Sequence, residues 1–171
     1  MEQLSCVFHR RSVRKYTGEP VSREHEELLL SAGFSAPSAR NARPWEFIVV
    51  RDKERLEALS TVRPYWPMLK NAGLAIVVCA NLRDYQGSTK DFFIQDCSAA
   101  TQNILIAAEG RGLGAVWLGC YPTKEGPEGV RRILEIPEDI IPFSVISVGH
   151  PAEHGKPHPE IVEERVHRDK Y

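Results

Sequence analysis

Apolar residues recur along the chain with two periods. Residues 21–34 carry Leu28, Leu29, Leu30, Ala32 and Phe34 behind Ser22 and the acids Glu24, Glu26 and Glu27. A short hydroxyl and early negative charge suit the free amides and positive end of a helix, so Ser22 is expected to cap one. Asp52 is expected to cap a second over residues 53–60, with Leu56 and Leu59 inward. The longest helical pattern, residues 91–111, spaces Ala99, Ala100, Ile104, Leu105, Ala107 and Ala108 on one side and closes at Gly112. Its alanines admit a close neighbour, which places it at the centre of the fold. Gly126-Pro127 opens another helix through Leu134, and Leu4, Val7 and Phe8 read as a short one.

The second period is that of strands. Residues 45–50, Trp-Glu-Phe-Ile-Val-Val, are rich in β-formers. Residues 74–80 are continuously apolar and short, as in a strand buried on both faces. Residues 114–119 and 140–148 read as two more. Between these lie an irregular aromatic loop at 63–70, with Pro64, Tyr65, Trp66 and Pro67, and a polar segment at 81–90 that suits a rim or lid. The tail, 151–171, is charged and proline-rich and cannot bury itself, so it is disordered or lies across another surface. Helices alternating with strands, without repeat or linker, predict one α+β domain over 1–171, a sandwich of helices around one sheet.

Composition alters this picture little. The 171 residues are 42% hydrophobic and 26% charged, ordinary for a globular chain. The net charge of -1 offers no basic field for nucleic acid. No apolar run reaches the ~18 residues of a membrane span, and the N-terminus has no signal core, so a cytoplasmic protein is expected. Cys6, Cys79, Cys97 and Cys120 are scattered and read as reduced small hydrophobes. Ligand spacings for metals, a Gly-x-Ser-x-Gly elbow, a Walker loop and Gly-x-Gly-x-x-Gly are all missing, so no metal site is expected.

Two polar stretches carry the candidate chemistry. Arg10-Arg11-Ser12-Val13-Arg14 packs three guanidiniums and a hydroxyl into five residues. In extended form Arg10, Ser12 and Arg14 share one side and can grip an anion together; a solvated basic turn is the plainer alternative. Ala36-Pro37-Ser38-Ala39-Arg40-Asn41-Ala42-Arg43-Pro44 then runs into the first strand. Its prolines stop a helix and leave amides free, and a polar loop ahead of a buried strand is a common way to mount binding groups.

These two stretches, with Asp96-Cys97-Ser98-Ala99-Ala100-Thr101-Gln102-Asn103 and Gly149-His150-Pro151-Ala152-Glu153, resemble in order and spacing the FMN-dependent nitroreductase family. The resemblance implies a central mixed sheet and a domain-swapped homodimer, the arm at about 151–171 wrapping its partner and two FMN sites at the interface. It implies that Arg10 and Ser12, helped by Arg11, hold the FMN phosphate and ribityl end, with Arg14 near the pyrimidine edge. Pro37, Ser38, Ala39 and Asn41 would line the polar edge of the ring. Trp117, Leu118 and Gly119 would cover the other face, a backbone N–H near Gly119 approaching N5; Trp117 as core and Gly119 as a simple turn are the alternatives. Lys156 and His158 would complete the phosphate clamp. Two departures stand out: Arg43 replaces a frequent glutamine, and His158 a frequent arginine, which makes FMN affinity sensitive to pH. The implied activity is NADH or NADPH oxidation with reduction of a small-molecule electron acceptor, a nitroaromatic or quinone, in ping-pong order. A flavin-binding storage or sensing protein, or a flavin-consuming or dehalogenating branch, is the alternative.

Overall fold

The computed structural model describes residues 5–83, 87–153 and 161–171. Four strands, β1 (Trp45–Val50), β2 (Leu74–Asn81), β3 (Gly114–Gly119) and β4 (Ile140–Gly149), form one sheet in the order β1-β2-β4-β3. The apolar run of β2 is split by the pleat: Leu74, Ile76, Val78 and Ala80 enter one core, and Ala75, Val77 and Cys79 the other. Helices α2 (Arg23–Phe34) and α4 (Phe93–Gly110) cover the first face through Leu29, Ala100, Ile104 and Ala108. Helices α3 (Lys53–Ser60) and α5 (Glu125–Leu134) cover the second through Leu56, Leu59 and Val130. Helix α1 (Ser5–His9) lies against α4.

The expected caps are present. Ser22 Oγ accepts the His25 N–H at 3.1 Å, and Asp52 Oδ1 accepts the Arg55 N–H at 2.9 Å, each a contribution of about 1 kcal/mol. Gly112 follows α4 with φ of 69°, where a side chain would be strained. A tighter helical turn, Gly87–Phe92, precedes α4, so the regular helix starts two residues later than residue 91. The aromatic loop is irregular only in its first half, since Pro67–Asn71 forms a tight helical turn; Trp66 is fully buried while Tyr65 stays exposed.

The mixed sheet is corrected. Strands β2 and β3 do point the same way and are joined through α4, but β4 returns between them, so every neighbouring pair is antiparallel. The parallel pairing among the described residues is one isolated bridge, Ser12 to Ala115. Among the described residues no helix is long and apolar enough to cross a membrane. Residues 161–171 are all exposed, including Ile161, Val162, Val166 and Tyr171.

Candidate functional site

The chain leaves α1 in extended form and runs beside β3. The Val13 N–H donates to the Ala115 carbonyl at 3.0 Å. Val13 turns inward, so Ser12 and Arg14 face outward together, as an extended backbone requires; Arg10 is half-buried. Gly114 permits this approach, since a Cβ there would lie 2.6 Å from Val13 Cγ1. The next residues pair with the end of β4: the Thr17 N–H donates to His150 O at 2.9 Å, and the Ala152 N–H to Lys15 O at 2.8 Å. Glu153 Oε1 accepts the Arg14 N–H at 2.8 Å, and that bond holds its carboxyl below the usual range. The Tyr16 hydroxyl donates to Val13 O at 2.9 Å, while burial pushes its pKa up. Arg11 donates to Phe8 O at 2.8 Å and Arg10 O at 2.6 Å at the end of α1.

Beyond this bridge the outer edge of β3 has no strand partner among the described residues. Ala115 offers its carbonyl outward, and strand alternation turns the backbone groups of Trp117 and Gly119 to the same side. A Cβ on Gly119 would meet nothing within 4 Å. The Leu118 side chain is buried in the second core, so only its backbone can meet a ligand. Trp117 is half-buried against Phe143, ring centroids 6.0 Å apart.

The second stretch is a short helical turn, Ala39–Asn41, leading into β1. Arg40, Asn41 and Arg43 have φ of 53°, 57° and 51°, three left-handed residues without a glycine. Such conformations cost of order 1–3 kcal/mol each and persist only when their surroundings impose them. Here three side chains do so. Asp96 Oδ1, from the first turn of α4, accepts the Ala39 N–H at 2.9 Å. Ser38 Oγ accepts the Arg43 N–H at 2.9 Å, and Asn41 Oδ1 accepts Arg43 Nε–H at 2.9 Å. Pro37, Arg40, Asn41 and Arg43 stay exposed.

The two stretches do not meet within one chain. The first flanks β3 and the second leads into β1, the opposite edges of the sheet. Three inter-strand steps of about 4.8 Å put those edges roughly 14 Å apart. Lys156 and His158 lie outside the described residues.

A family model, the Nitroreductase family, matches residues 7–62 and 55–150. The chain belongs to the nitroreductase family. A relative from Methanothermobacter thermautotrophicus, provisionally named an NADH dehydrogenase/NAD(P)H nitroreductase, is 46% identical over all of this chain and 88% of its own. A similarly named crystal structure from Parabacteroides distasonis superposes with a TM-score of 0.93 at 40% identity, covering 100% of this chain and 99% of that one. A provisionally assigned nitroreductase from Desulfovibrio desulfuricans, solved in complex with FMN, gives 0.83 at 32% identity over 98% and 96%.

Beneath the 38–43 loop lies the acid of the Asp96–Asn103 motif. Asp96 is 4% exposed, and its Oδ2 is buried with no hydrogen-bond partner among the described residues. Burial pushes its pKa up, offset in part by the Ala39 N–H. The signal was available: a lone acid four residues before Ala100, on the apolar face of α4.

Proposed function

We propose that the protein is a cytoplasmic, homodimeric FMN oxidoreductase that takes a hydride from NADH or NADPH and reduces a small acceptor, a nitroaromatic or quinone, in ping-pong order. The observation that carries this reading is the outer edge of β3, unpaired beyond Ala115 among the described residues and flanked by the outward Ser12 and Arg14. Its donors suit FMN: guanidinium and hydroxyl groups for a phosphate, and uncluttered space at Gly119 for a flat ring.

In this reading Arg10 and Ser12 hold the phosphate end, and Arg14 keeps a permanent positive charge beside the pyrimidine edge. The backbone N–H of Gly119 is free to meet the ring, and Trp117 and Leu118 back it through the strand. Pro37, Ser38, Ala39 and Asn41 come from a second copy of the chain, since their own loop lies at the far edge of the sheet. Lys156 and His158 are assigned to the phosphate on the sequence resemblance. FMN, when bound, supplies the hydride chemistry, so the protein's part is to bind, orient and exclude water.

Two further features support a homodimer. Val7, Phe8, Phe34, Phe92 and Ile94 leave large apolar side chains exposed on and beside α1, α2 and α4. Residues 161–171 of the arm are all exposed on their own chain, as suits a segment that wraps a partner.

The test is the visible spectrum during FMN titration, then anaerobic addition of NADH and NADPH, then steady-state turnover with a quinone. Flavin bands that shift on binding, bleach with nucleotide and return with acceptor are expected. Bleaching without turnover would favour storage or sensing instead, and failure to bind FMN would refute the proposal.

A further inference from the structure

The loop at the β1 edge presents two arginines in a conformation that arginine disfavours. Arg40 (φ 53°) and Arg43 (φ 51°) stand either side of Asn41 and Ala42. Their loop is fastened from below by Asp96 and from within by Ser38. Arg43 spends Nε on Asn41 Oδ1, which fixes its guanidinium and leaves both terminal nitrogens without a hydrogen bond among the described residues. Arg40 makes no hydrogen bond or ion pair among the described residues. The carboxylate of the fastening Asp96 is itself buried, and the nearby Glu46 is engaged by Asn81 Nδ2 at 2.7 Å. Two exposed cations are thus held on a strained loop, neither in an ion pair among the described residues.

We propose that Arg40 and Arg43 form an anion subsite for the phosphates of the nicotinamide dinucleotide. The inference rests on the reading above, in which this loop borders the flavin. A donor must lay its uncharged nicotinamide on the ring, so its phosphates fall outside the ring site and need a separate cationic holder. A guanidinium fork matches phosphate oxygens in pairs and keeps its charge at any working pH. Both arginines are exposed on this left-handed stretch, Arg40 within the helical turn and Arg43 just after it.

The experiment compares three hydride donors on the FMN-loaded protein with excess quinone: NADPH, NADH and 1-benzyl-1,4-dihydronicotinamide, which has the same reactive ring and no phosphate. The variants are Arg40→Ala, Arg43→Gln, whose amide keeps a donor for Asn41 Oδ1, and the double substitution, with FMN affinity measured alongside. The double variant is expected to raise KM for a dinucleotide about 10-fold or more, while kcat/KM for the benzyl compound stays within about twofold. A rise confined to NADPH assigns the 2′-phosphate; an equal rise for both dinucleotides assigns the pyrophosphate. Unchanged KM for both dinucleotides overturns the subsite. An equal loss with all three donors, or weakened FMN binding, also overturns it, because the arginines then shape the loop instead of reading phosphate. Wild-type protein that binds FMN but oxidises none of the three contradicts the proposed function itself, and the subsite with it.

Discussion

The Arg10–Arg14 edge and the 38–43 loop contribute to one proposed site by opposite means. The first is secured by main-chain bonds, Val13 to Ala115, Thr17 to His150 and Ala152 to Lys15, in ordinary extended backbone. The second is secured by side chains, Asp96, Ser38 and Asn41, against a left-handed backbone that its residues disfavour. Main-chain bonds survive most substitutions, whereas a loop held by three side chains depends on each of them. The phosphate-holding half should therefore be robust, and the half proposed to border the flavin of a second copy should be easily released.

The largest effect expected follows from Asp96→Ala. It strips the Ala39 N–H of its partner and should cost about 1–3 kcal/mol, or about 5- to 150-fold in FMN affinity if the loop energy is felt in binding. Fluorescence titration of FMN, with thermal melting, measures both. Gly114→Ala attacks the robust half by a steric route. Its Cβ would fall 2.6 Å from Val13 Cγ1, and crowding of this kind costs typically about 1–3 kcal/mol. Thermal melting should show it clearly, while Gly119→Ala on the same strand should melt like wild type. Ser38→Ala removes one of the loop's three fasteners and should cost about 1 kcal/mol, read as a modest loss of both melting temperature and FMN affinity.

The smallest effect distinguishes the halves by acid. Glu153 has a lowered pKa, so it adds stability above the unfolded value near ~4.3 that is lost as pH falls through its folded value. Asp96 has a raised pKa, so its ionisation erodes stability as pH rises from the unfolded value near ~3.9 through its folded value. Melting curves between pH 3 and 7 should show Glu153→Gln flattening the acid side and Asp96→Asn flattening the opposite slope. Parallel shifts in both variants would erase the contrast.

The elements themselves were legible because their signals are local. Ser22 and Asp52 announce helix starts by offering an oxygen to an amide three residues on, and β2 shows its double burial in an unbroken apolar run. The order of the strands was not legible, because β4 enters between β2 and β3 from later in the chain and nothing in either strand encodes that neighbour. In the candidate site, the outward pairing of Ser12 and Arg14 follows from strand alternation and was anticipated. The left-handed loop was not: of Arg40, Asn41 and Arg43 only asparagine favours that conformation, and the cause lies in α4, more than fifty residues away at Asp96.

The unpaired stretch of β3 has a consequence for handling the protein. A row of N–H and C=O groups at Trp117 and Gly119, without a strand partner among the described residues and beside a half-exposed aromatic ring, is a template onto which another molecule's strand can add. Whatever fills that stretch in the working protein also shields it from its own copies. Solubility should therefore track cofactor supply, with preparations starved of flavin precipitating first.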